Sequence, residues 1–416
     1  MRKILFSLLA IAGILLANAP FSHAGEVDVL LQVLVDKGIL SSSEAAKIKT
    51  ETEHYVADEL KTASSYAVPK WVQSIKMKGD VRTRYQYEKR ESSTSPRHRG
   101  RVRARLGIIG NMTPDIEAGV GLASGSADPR STNQTFEDTF DTPDIRLDYA
   151  YGQWKTPLKG LKVIGGKFVR GDYLWAPTDL LWDGDINPEG GSFNYKTSLL
   201  DGIDFWTNGG VWVLDEISGE RDPFMKYIQG GLGYKEGGLD GKFAVTYYDP
   251  VNVKDGALDN SASSNTKAGG RLLSNYRAVA FGTEVGYAEL FGGLPFNIDE
   301  RIAVFGEYVK NTDDEDIKDD LSGHAFGFLF GHKKVAGPKT WQFKYIKAKL
   351  GRDAWLDTFP DSDRWGGATD IESHEGILEI GLTKNVNLGL DYYKTWRASN
   401  PDNKERLFQA DIVFKF

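Results

Sequence analysis

From Ile75 onward apolar and polar side chains alternate with a period of two. Over Ile75 to Glu88, Ile75, Met77, Val81, Tyr85 and Tyr87 share one face, and Lys76, Lys78, Asp80, Arg82, Arg84, Gln86 and Glu88 share the other. That is the signature of an extended strand whose two faces meet different media. The split sharpens over Arg101 to Ile109, where Val102, Ala104, Leu106 and Ile108 oppose Arg101, Arg103 and Arg105. Further candidates are Ile116 to Ala123, Ile145 to Trp154, Leu161 to Phe168, Ser192 to Tyr195, Asp204 to Val213, Met225 to Lys235, Lys242 to Tyr248, Tyr276 to Leu290, Ile302 to Lys310, Ala325 to Gly331, Trp341 to Lys349, Glu375 to Lys384, Val386 to Trp396 and Leu407 to Phe416. The pattern predicts an all-β chain: a transmembrane antiparallel β-barrel of about 16 strands, apolar faces turned to lipid and charged faces to a wet lumen. Strands of a soluble sandwich would be shorter than the longest of these.

The connections support the same architecture. Thr383-Lys384-Asn385-Val386 is a tight turn, whereas Asp249 to Asn275 and Gly351 to His374 are long and polar, as expected when one rim faces the periplasm and the other the outside. Two termini on the periplasmic side require an even strand number. Asp313 to Asp316 with Asp319 and Asp320 mark another outer loop; a solvated acidic tip and a calcium site are both readings of it, and the ligand spacing is not specific to the second.

Before the strands the period is helical. Val27, Leu30, Leu31, Leu34 and Val35 form one apolar stripe, Gly38 ends it, and Ser41 with Glu44 makes a capping box for a second helix, roughly Ser42 to Lys61. That helix carries only a thin apolar face, of Ala45, Ile48 and Val56, and is read as a plug, a linker or a self-pairing element. The first residues read as a secretory signal: Arg2 and Lys3, an apolar run from Ile4 to Leu16, and a small-x-small site at Ser22-His23-Ala24. Ala17-Asn18-Ala19 offers a second cut, and an uncleaved anchor is the alternative. The expected division is a signal peptide over 1–24, a periplasmic helical segment over 25–70 and a barrel over 71–416.

Composition narrows the function classes. The mean hydropathy is −0.39, and beyond the signal no apolar stretch suits a spanning helix, yet 10 Trp, 18 Tyr, 21 Phe and 46 Gly are spread through alternating segments. With no cysteine, thiol chemistry and disulfide stapling are excluded. Losing Arg2 and Lys3 with the signal takes the formal charge from −7 to −9, which argues against a nucleic-acid partner. No cofactor is implied.

The last strand, Leu407 to Phe416, sets Phe408, Ala410, Ile412, Phe414 and Phe416 on one face and ends on phenylalanine. It resembles the terminal signal by which outer-membrane barrels of Gram-negative bacteria are recognised for assembly. Three further stretches, Leu30 to Leu40, the arginine-rich hairpin and Asp179-Leu180-Leu181-Trp182-Asp183-Gly184-Asp185-Ile186-Asn187-Pro188-Glu189-Gly190, give the whole mature chain a resemblance to bacterial porins that carry a periplasmic helical segment before the barrel. The resemblance implies an outer-membrane site among lipid and lipopolysaccharide, passage of small solutes, and a homotrimer.

The candidate pore residues follow from the alternation. Lys76, Lys78, Arg82, Arg84, Arg101, Arg103 and Arg105 crowd the lumenal face of adjacent strands, countered in part by Asp80, a concentration of like charge that water tolerates and a packed core does not. Asp179, Asp183, Asp185 and Glu189 are expected on a loop folded into the barrel opposite this ladder, giving a transverse field and an anion-leaning constriction. The other readings are a ladder of merely solvated wall residues, and a loop that stays outside or closes on itself around Trp175, Trp182 and Pro188. Trp71, Trp154, Tyr247, Trp341, Tyr392, Trp396 and Phe416 fall near strand ends and read as headgroup-level anchors, with an aromatic slide for sugars as the rival. Two other function classes remain: a barrel enzyme, for which no serine elbow, zincin helix or phosphate loop is present, and a structural tether or adhesin.

Overall fold

The computed structural model describes residues 24–67, 72, 74–219, 221–288, 300–313, 316–317 and 320–416. Most of the expected signal, and Trp71, lie outside them. The chain divides into two units, at residues up to 73 and from 74 on. In the first, α1 (Ala24–Asp36) and α2 (Ser42–Ala67) are joined by a short turn at Gly38, whose φ is +72°. The capping box forms: the Ser41 amide donates to Glu44 at 2.8 Å and the Glu44 amide donates back to the Ser41 hydroxyl at 3.3 Å. The Ser41 hydroxyl, donating to the Glu44 carboxylate at 2.6 Å, and the Ser41 amide hold that carboxyl below its ordinary pKa. α2 runs several residues past the expected end at Lys61, and among the described residues no helix is long and apolar enough to cross a membrane.

The second unit is a closed barrel of 16 strands. These are β1 (Lys76–Arg90), β2 (Arg97–Asn111), β3 (Ile116–Ser124), β4 (Ile145–Lys155), β5 (Leu161–Lys167), β6 (Glu189–Leu200), β7 (Ile203–Val213), β8 (Phe224–Glu236), β9 (Leu239–Val251), β10 (Ala278–Ala288), β11 (Glu300–Asn311), β12 (Ser322–His332), β13 (Trp341–Leu350), β14 (Ile371–Thr383), β15 (Val386–Arg397) and β16 (Asn400–Lys415). Every strand pairs antiparallel with its neighbours in sequence, and β1 closes on β16 in the register Arg84 to Asp411. Closure leaves no sheet edge, the condition for a β-structure to satisfy its backbone groups in lipid. Every expected strand is present; the differences are in length, since strand ends carry little periodic signal. β16 begins at Asn400 rather than Leu407 and β6 at Glu189 rather than Ser192.

The outward face of β16 shows Ile412 and Phe414 to the surroundings. Trp154, Tyr247, Tyr392 and Phe416 are likewise exposed on the outside. Turns at the end that carries Phe416 are short, such as 201–202, 237–238 and 384–385, while the opposite rim carries the connections 125–144, 168–188, 252–277 and 351–370. Of the two connections expected to be long, polar and external, 351–370 is largely buried, whereas 252–277 is mostly exposed or half-buried. Connection 351–370 buries Trp355, Leu356 and Phe359, and connection 252–277 buries Val253, Leu258 and Leu272. They are tied together at Asp357, whose carboxylate accepts the Ser264 and Asn265 amides at 2.6 and 3.0 Å. Of the acidic loop, Asp313 meets Arg277 at 3.0 Å and Asp316 pairs with Lys254, while Asp314, Glu315 and Asp319 lie outside the described residues.

Candidate pore interior

The inner wall starts from register. Because β1 and β2 pair Asp80 with Arg105, Arg82 with Arg103 and Arg84 with Arg101, their even and odd positions respectively turn to one face, and the arginines stack across two strands. The structure supplies this ladder with the expected Asp80 and with two carboxylates that sequence reasoning did not assign, Asp411 and Asp363. Asp80 receives Arg103 at 2.7 Å and Arg105 at 2.7 Å. Arg84 makes a two-pronged contact with Asp411, both bonds 2.7 Å, and lies 3.5 Å from Asp363. Arg82 stands 3.4 Å from the same Asp411 and donates to Asn133 at 2.7 Å. Among the described residues Arg101 donates only to the neutral Gln86, at 3.2 Å. Lys76 and Lys78 are exposed. Asp411 and Asp363 could have been sought in the alternation of β16 and in the Asp-Ser-Asp-Arg run of 361–364; their pairing with β1 could not.

The segment 168–188 crosses the interior. Asp185 comes within 3.5 Å of Arg105 on β2, while at its other end the Trp175 amide donates to Gln229 on β8 at 2.9 Å and the Trp175 carbonyl accepts from the same side chain at 2.8 Å. Thr178 donates to Glu307 on β11 at 2.5 Å. Between these points Trp182 is buried against the inner wall and the neighbouring connection. Its ring lies 5.4 Å from Trp212, 6.0 Å from Tyr248, 5.6 Å from Trp355 and 4.8 Å, stacked, from Phe359. Aromatic packing of this size excludes water from the space around Trp182.

The four acidic residues separate by role. Asp185 faces the ladder, and its carboxylate also accepts from Thr132 at 3.1 Å. Asp183 is buried under connection 351–370, accepting the Ser362 amide at 2.8 Å. Burial, with the charge of Asp185 beside it, pushes its carboxyl up to about 7. Asp179 meets Arg364, which also meets Glu375 and lies 3.6 Å from Asp361. Glu189 does not belong to the loop: it is the first residue of β6, mostly exposed, paired with Lys167 at 2.8 Å. Arg364 is the pin that holds the crossing segment to connection 351–370, a role invisible in a single sequence because its partners are 185 and 11 positions away.

One open space lies between ladder and segment. A gap of about 370 Å³ is lined by Lys78, Asp80, Arg105, Asp148, Asp185 and Asn187, among others. A second space of about 530 Å³, rich in Ser and Thr, shares Asp148, Asp185 and Asn187 with it, so the two adjoin. Asn187 fixes Asp148 at 2.7 Å. Positive and negative groups thus face each other across a wet passage, the arrangement that orients a dipolar or charged solute.

A family model described as "Putative porin" matches residues 87–284 and 296–416. No curated protein sequence matches the chain. Among solved structures it is similar to OprB of Pseudomonas putida in its high-pH form, with 12% identity and a TM-score of 0.55 over 83% of this chain and 95% of that one. It is also similar to OmpF of Salmonella typhi in complex with daunomycin, with 11% identity and a TM-score of 0.50 over 82% of this chain and 97% of that one. At such identities the likeness is one of fold.

Proposed function

The chain belongs to this porin family and is a protein of the outer membrane, and from that premise we propose that it gives small hydrophilic solutes and ions passive diffusion through the gap between ladder and crossing segment. The observation that carries the reading is the wet, charge-lined passage bounded by Arg105 and Asp80 on the wall and Asp185 on the segment. Family and fold point to a channel rather than an enzyme.

The finer reading assigns Lys76, Lys78, Arg82, Arg84, Arg101, Arg103 and Arg105 to the pore wall and Asp185 to the constriction. Asp179 and Asp183 position the segment instead of facing the solute. Since Asp80, Asp411 and Asp363 neutralise most of the ladder, an anion lean rests on Lys76, Lys78 and Arg101. It is accordingly mild, because exposed charges in water are screened over about 8 Å at physiological salt. The same reading takes residues 1–24 as a signal peptide, 25–70 as a periplasmic segment and 71–416 as the barrel, and, from the family resemblance, three copies assembled among lipid and lipopolysaccharide.

The test is single-channel recording of the purified protein in a planar bilayer under a salt gradient. Stable steps with a small anion-directed reversal potential are expected. Folded protein that gives no steps would overturn the open-channel reading.

A further inference from the structure

A third space, of about 590 Å³, shares no lining residue with the passage just described. It is lined by the inner faces of β5 to β10 and by Gly202 and Lys333 from the turns at the end that carries the termini, with Trp175 of the crossing segment as part of its wall. Its size is that of a small-molecule site, about 300–1,000 Å³ in general.

Most of its charges are already matched. Lys162 pairs with Asp172 at 3.2 Å, Lys196 with Asp204 at 2.8 Å, Lys333 with Asp240 at 3.3 Å, and Glu284 is taken by Arg301 at 2.8 Å. Lys235 sits at the exposed rim. Lys242 is different: among the described residues its ammonium is held by two rings, 4.6 Å from the centre of Trp175 and 4.5 Å from that of Trp206. A cation resting on indoles keeps its charge and its N–H donors, since ring faces accept weakly compared with a carboxylate.

The rings themselves are fixed in advance. Gln229 clamps both sides of the Trp175 peptide. Gly231 makes room for Trp206, because a side chain there would come within 2.2 Å of the indole. The Trp206 indole N–H is buried with no acceptor among the described residues, an omission that calls for a reason. Asn194 and Asn208, joined at 2.7 Å, complete a polar floor.

We propose that this basin binds small organic anions carrying a planar ring, the carboxylate on Lys242 and the ring against Trp175. The proposal rests on the porin reading only in giving solutes access to the barrel interior. Binding is therefore measured apart from conduction, by titrating the folded full chain in detergent with benzoate, acetate and inorganic phosphate and following tryptophan fluorescence and heat. Benzoate is expected to bind roughly tenfold more tightly than acetate or phosphate, and Lys242→Gln to weaken it by about the same factor. Trp175→Leu should weaken benzoate while leaving acetate unchanged. Should Lys242→Gln not give folded barrel, Lys242→Arg, which keeps the charge, is expected to retain benzoate, and its loss there would count against the proposal. Equal affinity for benzoate and acetate, tighter phosphate binding, or wild-type benzoate affinity in Lys242→Gln overturns it. Conductance without benzoate binding sinks the basin and keeps the porin; binding that depends on Lys242 without conductance does the reverse.

Discussion

The two sides of the barrel interior follow the same alternation and end in opposite states. Along β1, β2 and β16 the inward positions Arg82, Arg84, Arg103, Gln86, Gln409 and Asp411 are polar, most of them buried and cross-linked by ion pairs and hydrogen bonds, with the open gap beside them at Asp80 and Arg105. At the loop end of β7 to β9 they are Trp212, Met225, Tyr227 and Tyr248, all buried beneath Trp182, Trp355 and Phe359, while at the opposite end Asp204, Trp206, Asp240 and Lys242 line the basin of about 590 Å³. Inward does not mean wet. Where the connections fold decides which parts of the lumen are filled, their aromatic side chains meeting the apolar wall and Asp363 meeting the arginines.

The comparison breaks most severely if the apolar half is emptied. Trp182→Ala removes the ring at the centre of that packing and should lower stability by about 3–5 kcal/mol, seen as an earlier gel-shift temperature of the folded barrel. It should also raise single-channel conductance and open-channel noise. A destabilised barrel with unchanged conductance would show that this half never limited the pore.

Next comes the pin between the segments. Arg364→Gln leaves Asp179, Asp361 and Glu375 together without their cation, and losing one partner of a buried ion cluster is worth about 3–5 kcal/mol. The loss should shrink in acid, where those carboxyls take up protons; a defect equally large at every pH would mean that packing, not charge, is what Arg364 supplies.

A milder effect follows from Asp183. Its carboxyl is raised by burial to about 7 from an ordinary value of 3.8, so the folded state binds the proton more tightly than the unfolded chain. The packing of the segment is then strongest below the unfolded value, weakens as pH rises from there to about 7, and is constant above. Asp183→Asn should flatten that slope in thermal melts between acid and neutral pH. A slope identical to wild type removes Asp183 as its source.

The smallest change concerns the wet half. Lys78→Gln with Arg101→Gln should move the reversal potential toward cations by a few millivolts and leave stability within about 0.5 kcal/mol, as for surface substitutions. No movement would return the ladder to a solvated wall without selectivity.

Much of this was legible beforehand. Period-two alternation identified every strand and the inward face of the arginines, because a lipid exterior imposes its pattern residue by residue. Ser41 and Glu44 announced the second helix, since a capping box is local. Glu189 was misplaced by three residues of strand too weakly patterned to recognise, its neighbours Gly190 and Gly191 having no side chains to show a face. The length of 351–374 suggested an external loop, although Trp355 and Phe359 within it were a signal that it had somewhere apolar to go.

The sequence by itself determined the barrel, the facing of its wall and the presence of charge on that wall, all consequences of nearest-neighbour geometry in a strand. Tertiary structure alone decided that Asp411 and Asp363 would neutralise the arginines, that Arg364 would bind two connections together, and that aromatic packing around Trp182 would fill the loop end of the opposite wall. Each of those depends on contacts between residues far apart in the chain, whose distance is set only when the barrel closes and its loops fold into it.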